Sequence, residues 1–95
     1  MPATGIRITA DTQVFIGPCR LKAVLVVANN VAGPATGVLT IYDEEDNTKT
    51  TAKTIFKNVE ATVGTKLYNM DLLCKEGIYV DADSWTDLEV HIHYN

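Results

Sequence analysis

Residues 87–94 alternate without a break, with Leu88, Val90, Ile92 and Tyr94 on one face of an extended chain and Glu89, His91 and His93 on the other. This period of two sets the class of fold, because no stretch keeps apolar residues at i, i+3, i+4 and i+7 through three turns. The chain is therefore read as all-β. Further extended segments are Thr12–Ile16, Arg20–Ala28, Gly37–Asp43, Lys53–Lys57, Lys66–Leu72 and Gly77–Asp81. Gly, Pro, Asn and Asp punctuate them, residues that reach turn conformations cheaply or bond local backbone amides. Asp81-Ala82-Asp83-Ser84 reads as a turn, so Gly77–Asp81 is expected to form a hairpin with the final strand. Val63-Gly64-Thr65 reads as a second tight turn, and Asn29–Thr36 as a loop able to cross between sheets or project as a contact loop. Seven or eight such strands predict an antiparallel β-sandwich, jelly-roll-like, forming one domain over residues 1–95.

One segment departs from a half-buried pattern. In Arg20–Ala28, strict alternation puts Leu21, Ala23, Leu25 and Val27 on one face and Lys22, Val24 and Val26 on the other, so both faces become apolar. A sandwich strand offers only one face to the core. The second face, carrying Val24 and Val26, must then be covered by a loop of the same chain or by another subunit. Residues 1–5, Met-Pro-Ala-Thr-Gly, have nothing to bury and read as an extended arm. Met1, Pro2, Ala3 and Thr4, together with Val24 and Val26, are the candidate interface residues.

A chain of 95 residues buries only about two-thirds of its unfolded surface, so its own core is marginal. Apolar residues make up 46% and charged residues 21%, a balance that favours folding over disorder. The net charge of −4 and the scatter of the lysines argue against nucleic acid as main partner, which needs a basic stripe. The longest apolar run, Ala23–Ala28, is far short of the roughly 20 residues that span a bilayer, so no membrane partner is expected. Arg7, Asp11 and Arg20 interrupt the first twenty residues, so no secretory signal is expected there and synthesis in a cytoplasm is the expectation. Cys19 and Cys74 either pack as separate small apolar groups or bridge; two cysteines without a C-x-x-C spacing make neither a disulfide framework nor a zinc motif.

Candidate sites are few. His91 and His93 form an H-x-H pair beside Glu89, but Glu89 and His93 lie on the order of 13 Å apart along a strand and cannot share an ion. A third ligand would have to come from elsewhere. Asp43-Glu44-Glu45-Asp46-Asn47 supplies oxygens without the spacing and glycine of a calcium loop, and a turn that repels edge pairing accounts for it as well. Serine occurs only at Ser84, and no nucleophile elbow, Walker loop, dinucleotide fingerprint or H-E-x-x-H helix is present. The expectation is a non-enzyme with no cofactor and no metal. Trp85 and Tyr79, with Tyr68, could stack on a sugar; a tryptophan plugging one end of the core is the other reading.

Gly17-Pro18-Cys19-Arg20-Leu21 leading into Ala23–Val27, then Gly37–Asp43, Gly77–Asp81 and the closing Leu88–Tyr94, resembles a class of short β-sandwich virion proteins of tailed bacteriophages. These are capsid decoration or cement proteins and related head-fibre modules, and the likeness covers roughly residues 12–94. It implies a structural protein on the capsid surface of a virion, a homotrimer bound to the major capsid protein. A trimer would cover the outer face of Val24 and Val26, and an N-terminal arm gripping the shell would order residues 1–5. The class has no active site to carry across. The alternatives are a carbohydrate-binding or adhesion module and a small cupin-like metal enzyme using His91 and His93.

Overall fold

The structure is a computed structural model that describes residues 4–28, 35–62 and 64–95. Its strands are β1 (Thr4–Ile8), β2 (Thr12–Ile16), β3 (Cys19–Ala28), β4 (Ala35–Tyr42), β5 (Thr54–Thr62), β6 (Thr65–Cys74), β7 (Gly77–Thr86) and β8 (Leu88–Tyr94). The only helical turn among the described residues is the 3-10 segment Thr51–Lys53. Two antiparallel sheets form, in the orders β1-β8-β3-β6 and β2-β7-β4-β5. First pairs with last (β1 with β8), then β2 with β7, β3 with β6 and β4 with β5. The chain is thus one long antiparallel ribbon rolled so that β3 also meets β8 and β4 also meets β7. That winding is a jelly roll, within the antiparallel sandwich class that the strand count and punctuation predicted.

Alternation builds the core. Leu21, Val24 and Val26 of β3, Val90 and Ile92 of β8, Leu39 and Ile41 of β4, and Ile78 and Val80 of β7 are all fully buried between the sheets. Each such side chain contributes roughly 1.5–3 kcal/mol of transfer free energy. Ile8 closes the core from β1.

Three expectations need correction. Gly77–Asp81 does not pair with the final strand: β7 continues to Thr86 and lies between β2 and β4, whereas β8 lies in the other sheet. The expected turn at Asp81–Ser84 is instead a register shift in β7 with Ser84 at φ 57°, and the change of sheet comes at Asp87, φ 54°. The expected arm is shorter too, because Thr4 and Gly5 pair with Tyr94 and His93 as the start of β1. Met1, Pro2 and Ala3 lie outside the described residues, as does most of the Asn29–Thr36 loop.

The third correction concerns Val24 and Val26, which are 0% exposed and face the opposite sheet within this single chain. They cannot meet another subunit. The register of β3 against β8 slips by one residue between Leu21 and Ala23, which marks a β-bulge at Lys22–Ala23. A bulge inserts one residue and inverts the in-out phase beyond it. Leu21 points inward before it and Val24 and Val26 after it, which leaves Ala23, Leu25 and Val27 to face outward.

Candidate functional site

The outward face of the β1-β8-β3-β6 sheet can be laid out from its register. Its central row runs Arg7, His91, Leu25, Leu67 across the four strands. The row on one side is Gly5, His93, Ala23, Asn69, and on the other Glu89, Val27, Thr65. Ala23, Leu25, Val27 and Leu67 make an apolar patch over β3 and β6, with Leu67 54% exposed. A shallow open groove of about 520 Å³ lies on it, lined by Lys22, Ala23, Leu67, Asn69, Met70 and His93.

Charge frames the patch. On one flank Glu89 is buried and receives Arg7 Nε at 2.7 Å, with His91 Nε2 also at 2.7 Å from the same carboxylate oxygen. The hydrogen bond from Arg7 and the charge of Glu89 raise the guanidinium pKa. At the bulge end, Lys22 and Arg20 both reach Asp71 Oδ1, at 3.2 and 3.3 Å, and Lys22 holds the Asp71 carboxyl below its ordinary range. The outward face of the other sheet carries Asp81 and Asp83 on β7 with Asp11 close by, and also Val59 of β5 at 73% exposure. Lys49 bridges Asp11 and Asp81 there at 3.0 and 3.2 Å.

The histidine pair therefore sits outside the sandwich rather than inside it. His91 is committed to Glu89, and the His93 ring lies against Gly5, where a Cβ would meet it at ordinary contact distance. Among the described residues no three His, Cys, Asp or Glu side chains are grouped to hold a metal ion. The acidic run is spent on the protein's own backbone. Asp43 accepts from the amides of Lys75, Glu76 and Gly77 at 3.0, 2.8 and 3.2 Å, fastening the β6–β7 turn to the end of β4. Burial alone would raise the Asp43 carboxyl, but those three amides and nearby Lys53 outweigh it and hold it below 3.8. Glu44, 2% exposed, accepts from the amide and hydroxyl of Thr50, and Asp46 from the amide of Thr48.

The three aromatic candidates do not share a surface. Trp85 packs against the core over Gly37, where a Cβ would come within 2.3 Å of its ring, and its indole N–H donates to Val38 O at 2.9 Å. Tyr79 is buried on the outward side of β7. Tyr68 turns inward and meets Phe56 edge to face at 5.1 Å. Its hydroxyl donates to Glu60 Oε2 at 3.0 Å and accepts from Asn58 Nδ2 at 2.7 Å. Alternation along the longer β5 aims Asn58 and Glu60 inward, a polar cluster that Lys53–Lys57 alone could not indicate.

Leu25, Val27 and Leu67 had a visible signal, the two-faced apolar pattern of β3, but the hidden bulge assigned the wrong half of that pattern to the outside. No protein-family model, curated protein or solved structure matches this chain.

Proposed function

We propose that the protein is a structural virion component, a capsid decoration or cement protein that binds the major capsid protein as a homotrimer. The carrying observation is the apolar patch Ala23, Leu25, Val27 and Leu67 on the outside of a sheet whose inner face already fills the core. Ala23, Leu25 and Val27 are only partly covered and Leu67 is exposed, so contact with another chain would bury apolar surface that the fold leaves open. The molecule's broad face, within extents of 39 × 30 Å, has room for a standard interface of about 800 Å² per partner. Arg7 is paired with Glu89, whereas Arg20 and Lys22 share the single carboxylate of Asp71, so the bulge end of the margin carries a net positive charge that suits a partner carboxylate. The jelly roll also serves lectins and cupins, so the winding alone does not choose the function.

The test uses Leu25→Asp and Leu67→Asp, which place a charge on the patch without entering the core. Both variants are expected to keep the wild-type circular dichroism and melting curve, sediment as monomers where the wild type self-associates, and fail to bind tailed-phage capsids stripped of surface proteins. Wild-type self-association and capsid binding in both variants would overturn the proposal. Val24→Asp is unsuitable as a surface probe because it buries a charge and unfolds the domain.

A further inference from the structure

Cys19 opens β3 and Cys74 ends β6, and the two are direct register partners across that antiparallel pair. Both are buried, at 7% and 0% exposure, and both are thiols in this structure. The type of pair follows from the neighbouring bonds. Arg20 donates its amide to Asn95 O at 2.8 Å and accepts from the Asn95 amide at 3.0 Å, so both of its peptide groups point toward the β8 side. Adjacent residues of an antiparallel strand point their peptide groups to opposite sides, so those of Cys19 point toward β6 and Cys74. Cys19 and Cys74 are thus a hydrogen-bonded pair, for which the Cα separation is about 5.5 Å. Disulfides accept Cα separations of roughly 4.4–6.8 Å but need Cβ atoms about 3.5–4.5 Å apart, closer than a hydrogen-bonded pair holds them, so bridging draws the two strand ends together. The two side chains also share one face, the inward one.

We propose that Cys19 and Cys74 form an intramolecular disulfide between β3 and β6 when the protein meets an oxidising low-molecular-weight disulfide such as oxidised glutathione. In the first step the Cys19 sulfur, as thiolate, attacks one sulfur of glutathione disulfide, expels one glutathione thiolate and leaves a mixed disulfide on Cys19. Cys74, as thiolate, then attacks the Cys19 sulfur and expels the second glutathione. Two protein thiols are oxidised to one disulfide, the glutathione disulfide is reduced to two thiols, and the two protein thiol protons end on them.

The surroundings set the kinetics. Burial pushes both thiols up, Cys74 to about 12, so little attacking thiolate exists while the fold is closed. Exposed Pro18 and Lys75 flank the pair, and the bond from the Gly17 amide to Glu76 O, 2.7 Å, together with the three amide bonds to Asp43, closes this end. Oxidation is therefore fast during refolding and slow in the native protein, where it waits for that end to open. The bridge would tie the third strand to the sixth across more than half of the chain, the long-loop case in which a cross-link restricts the unfolded state most. In a reducing compartment the pair stays open, and on release into an oxidising one it closes.

The experiment refolds the full chain in excess oxidised glutathione, incubates native protein in the same buffer, and reads intact mass, non-reducing gels and melting temperature. The expected product is a monomer lighter by two hydrogens that melts roughly 10 °C higher than the reduced protein and reverts with dithiothreitol. Cys19→Ala and Cys74→Ala are expected to show no oxidant-dependent shift in melting. Refolded chains that keep both thiols, carry glutathione, or link to each other would overturn the proposal, as would a bridged monomer that melts lower than the reduced one.

Discussion

Asp43 shows how one carboxylate can gather the amides of a turn, here one that the Gly17 amide and Lys53 also hold through Glu76. It holds three consecutive amides of the β6–β7 connection, and charge-assisted bonds of this kind exceed neutral ones in strength. Asp43→Ala is expected to cost roughly 2–4 kcal/mol in urea denaturation, because it leaves these donors without their acceptor. The same bond sets a pH dependence. Asp11, Asp43, Asp46 and Asp71 all have folded pKa values below the ordinary 3.8, so between those values and 3.8 the unfolded chain binds more protons than the native one. Stability is fully present above about pH 5 and drains as pH falls through the folded values. Melting scans from pH 6 to pH 2 should show this loss, shallower in Asp43→Asn than in the wild type. Tyr68 makes a parallel case inside the sandwich, where its hydroxyl is a donor to buried Glu60. Tyr68→Phe is expected to lose about 1–3 kcal/mol, measured the same way.

Among the elements, β3 carries the most consequence for its length. Its bulge at Lys22–Ala23 decides which valines and leucines build the core and which face out. Val24→Asp should therefore unfold the protein and Leu25→Asp should leave the fold intact, a contrast that circular dichroism resolves directly. The start of β7 is equally constrained. A Cβ on Gly77 would stand 2.3 Å from Phe15 O and 2.9 Å from Glu44 O, both backbone atoms that cannot swing aside. Gly77 also sits at φ 153°, where side chains are rarely tolerated. Gly77→Ala is expected to cost about 3 kcal/mol or more in urea denaturation, above the ordinary cost of overpacking, because β2 and the acidic turn are both displaced.

At the level of the whole molecule, nearly every pairing joins distant parts of the chain, and the outermost pair joins its two ends through β1 and β8. Contacts of such long range must overcome loop-closure entropy before they reward the chain. Refolding by stopped-flow fluorescence of Trp85 is expected in the millisecond-to-second range typical of all-β domains of this size. Deleting residues 1–8 removes β1, exposes the edge of β8 and takes Ile8 out of the core. The truncated chain is expected to lose cooperative thermal unfolding, since a small domain has little stability in reserve.

What the sequence determined by itself was local and periodic. The alternation of residues 88–94 named the inward face correctly, because a pleated strand shows its two faces directly in the order of its residues. Strand number and the antiparallel sandwich class followed from the same period and its punctuation. Partners across the sheets were decided only by tertiary structure: β7 reads like one arm of a local hairpin with β8, yet each takes its hydrogen bonds from strands far away in the chain. The candidate face was half legible for a related reason. The excess of apolar residues in β3 was plain, but a bulge adds one residue without changing composition, and only the strands lying on either side reveal that the phase has turned over at Lys22–Ala23.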